Sequence, residues 1–283
     1  MRYQKLMKDE IRQIHTRTYI DDMSRSGYRH DGDFGIYMNA TADGFPLRVG
    51  RPYRAAEGRV AIVAAGVLDV TLDLSDYHLA QGDVFFIPPG GVAVFNSMGR
   101  GCMVDVAIFR NLPGKASLTG CFVVHGNDDA ARRTMQYMSM IFDQMGRCPV
   151  HGEVIAPLFD ALILDTLTLR PEAKPTPSES LLTRFVTLVS REGAEKRTVA
   201  WYAERLCVSQ SHLSAVVKGR SGMTVSQWID RALVQEAKVL LYHSDMPVAE
   251  VAERLGFATP SFFIHFFHKK TGETPLQFRK NAN

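Results

Sequence analysis

The sequence predicts a two-domain α+β protein, with a β-rich first part followed by an all-helical second part. Three observations carry this. Hydrophobic periodicity is close to two along residues 59–95 and close to 3.6 from Asp128 onward. The stretch "RPEAKPTPSES", Arg170 to Ser180, has three prolines and little apolar content, so helix and sheet are both disfavoured there. One helical segment occurs twice after that stretch. The predicted boundaries are 1–169 for the first domain, 170–180 for a linker and 181–283 for the second domain. Within the first, strands are expected over about 20–112 and helices over about 128–169.

In the first domain "VAIVAAG" is an apolar run ending at Gly66. "LDVTLDL" alternates, with Leu68, Val70, Leu72 and Leu74 inward, the period of a half-buried strand. "AQGDVFFIPPGGVAVFN" reads as a turn at Gly82-Asp83, a strand, a Pro-Pro-Gly-Gly turn and another strand. Short strands at this spacing predict an antiparallel barrel or sandwich. The period then lengthens. Met135, Met138, Ile141, Phe142 and Met145 fall at helical spacing over Asp128–Met145. Leu158, Leu162, Asp165 and Leu169 do the same over Ile155–Leu169. These two helices either cover their own sheet or pair with a second copy.

Composition bounds the class. A chain of 283 residues that is 46% hydrophobic can bury a sizeable core. The opening residues have no apolar run of the kind a secretory signal needs, and no stretch is long enough to span a bilayer. Cys102, Cys121, Cys148 and Cys207 are scattered without a CxxC pair, so neither zinc nor a disulfide framework is expected, and a reducing cytoplasm is. From Leu181 onward there are 14 basic and 9 acidic residues, a balance of +5, against −2 for the remainder. A basic helical part suits a polyanion.

In the second domain the expected helices are Leu181–Arg191, Val199–Leu206, Gln210–Lys218, Val225–His243, Val248–Leu255, Ser261–His268 and Pro275–Lys280. The repeat lies within them. "VAWYAERLCVSQSHLSAVVK" spans Val199–Lys218, and "VAEVAERLGFATPSFFIHFFHK" spans Val248–Lys269. Both contain Ala-Glu-Arg-Leu, then a small residue (Cys207 or Gly256), an apolar residue and a second helix. Helix, tight turn, helix is the helix-turn-helix unit. The turn needs a left-handed residue, so Gly256 fits and Cys207 should be mildly strained. Thr224 is the expected N-cap of a long helix joining the two units. Four phenylalanines, Phe262, Phe263, Phe266 and Phe267, crowd the second helix of the later unit and are expected to form its core face.

A recognition helix reads base edges from its N-terminal turn and one outer face. The outward positions are Gln210, Ser211 and Ser214 in the first unit and Pro260, Ser261 and His265 in the second. Lys218, Arg220, Lys269 and Lys270 are expected near phosphates. No nucleophile elbow, P-loop or dinucleotide fingerprint occurs, and no His pair has HxH spacing among His15, His30, His78, His125 and His151, so no metal, cofactor or catalytic residue is expected. A barrel without metal ligands suits either a small-molecule pocket or a purely structural and dimerising module; a pocket would have His30, Tyr37 and Tyr53 as lining residues and Arg51 and Arg54 for an anionic ligand.

The stretch "ALVQEAKVLLYHSDMPVAEVAERLGFATPSFFIHFFHKKTGETPLQFRK" resembles the signature of the AraC-type (AraC/XylS) bacterial transcription regulators. The resemblance covers Leu181–Lys280. "YHLAQGDVFFIPPGGVAVF" is similar to the cupin-like sensor half of many such regulators. The resemblance implies a cupin-like β-barrel with a helical dimerisation segment, and an all-α domain with two helix-turn-helix units. It implies double-stranded DNA and RNA polymerase as partners, a homodimer, a small-molecule effector in the barrel and transcription activation. Matching the family's base-contacting positions selects Ser211, Ser214, Ser261 and His265. The family often carries Arg where this chain has Ala215 and His265, so the first helix is expected to read weakly or through Gln210 and His212. Two alternatives stay open: control by a protein partner without a ligand, and a metal-dependent cupin enzyme fused to a DNA-binding module.

Overall fold

The computed structural model describes residues 27–41, 49–111, 113, 120–147, 152–170, 177–192 and 197–281. The start of the predicted strand region, His15, Cys148 and His151 lie outside them. The chain divides into two compact units, Met1–Glu172 and Ala173–Asn283.

The first unit holds ten described strands: β1 (Tyr28–Asp31), β2 (Phe34–Ala40), β3 (Pro52–Arg54), β4 (Gly58–Ala65), β5 (Val67–Leu72), β6 (Ser75–Ala80), β7 (Val84–Ile87), β8 (Val92–Met98), β9 (Met103–Phe109) and β10 (Phe122–Val124). They form two antiparallel sheets, ordered β1-β2-β9-β4-β7-β10 and β3-β8-β5-β6. Two helices follow, α1 (Asp128–Met145) and α2 (Gly152–Thr168).

Side-chain alternation assigns the layers. From the six-stranded sheet, Tyr37, Val63, Phe85 and Val104 meet Leu68, Val70, Leu72 and Phe95 of the four-stranded sheet in one core. On the opposite side of the six-stranded sheet, Ile36, Val60, Ile62, Phe86 and Phe109 meet Met138, Ile141, Phe159 and Ile163 of the helices. A sheet buried on both faces needs apolar residues at every position. That is why β4 beyond Arg59, and the whole of β7, read as unbroken apolar runs while β5 alternates.

Three expectations change here. Among the described residues the strands make two stacked sheets and no closed barrel, because the edge strands β1 and β10 of one sheet pair with neither edge strand, β3 or β6, of the other. Met135 is 44% exposed, since the buried line of α1 runs Ala131, Thr134, Met138, Ile141, Met145. Asp165 is no part of an apolar stripe, and its Oδ2 accepts from Arg133 Nε at 3.0 Å. The buried faces of α1 and α2 pack on their own sheet, while Met135, Met140, Val154 and Leu164 of the same helices stay exposed.

The second unit is helical among its described residues: α3 (Pro177–Glu192), α4 (Val199–Arg205), α5 (Gln210–Ser221), α6 (Val225–His243), α7 (Val248–Arg254), α8 (Pro260–Thr271) and α9 (Pro275–Lys280). Helix α3 begins inside the stretch read as linker. Proline at a helix's first position loses no intrahelical hydrogen bond, so Pro177 starts the helix instead of preventing it.

Candidate nucleic-acid interface

The two sequence units fold alike. Each first helix ends in a turn that satisfies the last carbonyls in the same way. Val208 N–H donates to Ala203 O at 3.0 Å, and Phe257 N–H donates to Ala252 O at 2.9 Å. The residue between is left-handed in both, Cys207 at φ 58° and Gly256 at φ 70°. Only glycine takes this conformation without a steric cost. Cys207→Gly is therefore expected to raise stability by about 0.5–1 kcal/mol, net of the extra freedom glycine gives the unfolded chain. A urea midpoint checks it, and a lower midpoint would mean the thiol contributes packing that outweighs the strain.

The second helices are capped by Ser209, which accepts from His212 N–H at 3.2 Å, and by Thr259, which accepts from Phe262 N–H at 3.4 Å. Leu213 and Val217 are buried in α5, and Phe263 and Phe267 in α8. Position for position, α5 and α8 share one exposure pattern. Gln210, Ser211 and Ser214, and Pro260, Ser261 and His265, are all exposed on these helices, as are His212, Lys218, Arg220 and Lys269. Lys270 is exposed but engaged, with Nζ 2.7 Å from Asp230 Oδ2 of α6.

One expectation fails on α8. The four phenylalanines are not all core. Phe263 and Phe267 are buried and Phe266 is half-buried, but Phe262 is 66% exposed. At 100° per residue Phe262 points away from the side that Phe263 and Phe267 share.

The repeat also extends further than its sequence suggested. Each second helix ends in a hydroxyl residue, and a left-handed glycine and a Thr-x-x-Gln capping box followed by an aromatic residue come after it. Ser221 Oγ donates to Val217 O at 2.6 Å, and Thr271 Oγ1 donates to Phe267 O at 2.8 Å. Gly222 and Gly272 lie at φ 72° and 82°. Gln227 N–H donates to Thr224 Oγ1 at 3.2 Å, and Gln277 N–H donates to Thr274 Oγ1 at 3.3 Å. Trp228 and Phe278 then enter the core. The signal was there to be read, as "SGMTVSQW" against "TGETPLQF".

Three arginine or lysine contacts fix the second unit in place. Arg197, just before α4, donates through Nη2 to Leu255 O, and its guanidinium lies 4.3 Å from the Phe257 ring centre. Burial lowers the Arg197 pKa from its ordinary value, and Asp230 partly opposes that. Arg279 of α9 donates to Met246 O at 2.6 Å and to Leu241 O at 3.3 Å. The Lys270–Asp230 pair ties α8 to α6.

The five residues expected to line a small-molecule pocket are not brought together as a set. Tyr37 and Tyr53 are buried between the sheets. His30 is exposed, Arg51 is half-buried, and Arg54 Nη1 donates to Gly90 O at 3.1 Å in an exposed turn. The residues the sequence reading missed are Arg59, Glu57 and Tyr28. Arg59 is 9% exposed, donates through Nη2 to the Tyr53 hydroxyl, and has Glu57 Oε2 at 3.6 Å. Burial, then the Glu57 charge, raises the Tyr28 pKa. The available signal was a lone arginine opening an apolar strand. None of the five lines the groove of about 640 Å³ between the end of β4 and α1, whose walls include Val63, Gln81, Arg132, Met135 and Gln136. Among the described residues, no three His, Cys, Asp or Glu side chains converge as a metal cage.

A helix-turn-helix domain family matches residues 202–281. The HTH-type transcriptional activator RhaR of Salmonella dublin is 26% identical over 141 residues, 49% of this chain and 50% of that protein. The arabinose operon regulatory protein of Salmonella typhimurium is 29% identical over 123 residues, 43% of this chain and 44% of that protein. The chain thus spans about half the length of the curated relatives it matches. Among solved structures, an apo form of ToxT from Vibrio cholerae has a TM-score of 0.41 at 11% identity, covering 90% of this chain and all of that one.

Proposed function

We propose that this chain, whose residues 202–281 form a helix-turn-helix domain of the AraC/XylS type, is a sequence-specific DNA-binding transcription regulator. One observation carries the reading: α5 and α8 each set an exposed polar row over a buried apolar pair, in the same pattern, on one rigidly tied helical unit. Two such helices suit successive major grooves about 34 Å apart. Ser211, Ser214, Ser261 and His265, with Gln210 and Pro260 at the helix starts, read base edges. Lys218, Arg220 and Lys269 neutralise phosphates, and Lys270 does so only after parting from Asp230. The relatives' printed descriptions as activators support activation, and with it RNA polymerase as a partner. In the sheet unit, the Arg59–Tyr53–Glu57 cluster supports a polar small-molecule effector held between the sheets. The protein acts as a cytoplasmic homodimer.

The test is selection of bound duplexes from a random library at stated salt. Enrichment of a site with two segments one helical turn apart is expected, and no enrichment with or without candidate effectors would remove the reading. On that site, His265→Ala should relax preference at one base step by about 1–3 kcal/mol. Lys269→Ala should instead weaken all sequences alike and flatten the salt slope. Titration on matched and scrambled duplexes at several salt concentrations separates the two roles.

A further inference from the structure

Phe262 is the third residue of α8 and stands 66% exposed beside Phe263, which is fully buried. It lies outside the apolar cluster that Phe263, Phe267 and Phe278 build. Of the other outward residues of α8, Ser261, His265, His268 and Lys269 are polar and exposed, and Ile264, 38% exposed, is apolar but shows far less surface than Phe262. Phe262, His265 and Lys269 follow one another at three and then four residues, so they run along one side of the helix. The ring therefore projects beside a base-reading position, with a free-standing basic residue further along the same side.

That placement has a chemical meaning in a major groove. Residues in the first turn of a recognition helix reach base edges. Most groups displayed there are hydrogen-bond donors and acceptors, which a phenyl ring cannot satisfy. The exception is the thymine 5-methyl group, which takes apolar contact. Resting on the DNA-binding reading above, we propose that Phe262 reads a thymine methyl and is a specificity-determining residue of the second unit. Its counterpart in the first unit, at the third position of α5, is His212, also exposed. The two units consequently differ in kind at this position, a polar edge under α5 and a methyl under α8.

The experiment uses the full chain and the duplex it selects. Each thymine is replaced singly by deoxyuridine, which removes only the methyl. At one thymine under the second unit, the replacement should weaken wild-type binding about fourfold, the effect of one buried methyl-sized group. Phe262→Ala should weaken binding to the thymine duplex at least as much, and the uracil replacement should then cost that variant nothing further. Phe262→Leu should keep part of the methyl discrimination. The Phe262→Ala thermal midpoint should match wild type, because the ring is exposed.

Independent, multiplying effects of Phe262→Ala and uracil would overturn the proposal. So would a wild type indifferent to every uracil replacement, or a lowered midpoint that marks the ring as structural. Failure to select any duplex would overturn the DNA-binding reading itself, whereas a selected duplex without coupling overturns only the role of Phe262.

Discussion

Phe267→Ala should destabilise the helical unit by about 3–5 kcal/mol, the range for emptying a buried phenylalanine site. The ring is fully buried. Its centre lies 5.8 Å from that of Phe263 and 5.8 Å from that of Phe278, the latter edge-on. Through Phe278 it couples α8 to α9, whose Arg279 holds the end of α6 and the loop after it. The loss is a large share of the 5–15 kcal/mol that stabilises an ordinary domain. Urea unfolding followed by far-UV circular dichroism measures it. DNA affinity should fall on all sequences, because the whole α8 face moves. Phe267→Leu should lose far less, since it keeps most of the volume. A cost below about 1 kcal/mol for the alanine variant would mean that α8 does not dock through this residue. The neighbouring Phe262→Ala is the internal contrast, similar in chemistry and opposite in burial.

Asp83→Ala should cost the sheet unit about 2–4 kcal/mol, because it strands backbone donors that the carboxylate now satisfies. Asp83 is 6% exposed. It accepts from Ala80 N–H at 2.9 Å and from Gly126 N–H at 3.1 Å, and His125 Nδ1 lies 2.9 Å away. One side chain thus closes the turn between β6 and β7 and pins the approach to α1. Burial pushes its pKa up, but the hydrogen bonds from Ala80, His125 and Gly126 outweigh it, so the net shift is downward. The unfolded value is about 3.9. A group with a lowered folded pKa contributes stability that is complete above the unfolded value and is lost as pH falls through the folded one. Asp83→Asn should keep part of the hydrogen bonding at neutral pH and remove this share of the acid dependence below about pH 4. Urea midpoints of wild type and both variants at pH 3 to 7 check the size and the sign. An unchanged midpoint for Asp83→Ala at neutral pH would contradict the clamp.

These two residues also mark how legible the chain was. Phe267 and Asp83 both stood out in the sequence, one in an aromatic run and one in a Gly-Asp turn before an apolar strand. Local chemistry made them visible: a helical period for the first, turn chemistry for the second. The same logic placed α1, α6 and α9 at their observed bounds. It also anticipated the left-handed strain at Cys207, because the aligned residue in the other unit is glycine. It stopped short at Phe262, because an aromatic run does not say which of two adjacent rings faces the partner helix. Arg59 was passed over because a charged residue at the head of an apolar strand looks like a strand end until a facing sheet encloses it.

What the sequence determined alone was whatever depends on neighbours a few residues apart: element types, caps, the Ala-Glu-Arg-Leu repeat and the exposed polar rows of α5 and α8. What only the tertiary structure decided was whatever depends on surfaces meeting. It split the strands into two sheets, packed one face of α1 and α2 on one of them, and gathered Arg59, Tyr53 and Glu57. It left Phe262 outside while burying Phe263. The physical reason is that periodicity records which residues share a side of an element, whereas burial depends on what packs against that side, and residues distant in the chain supply that.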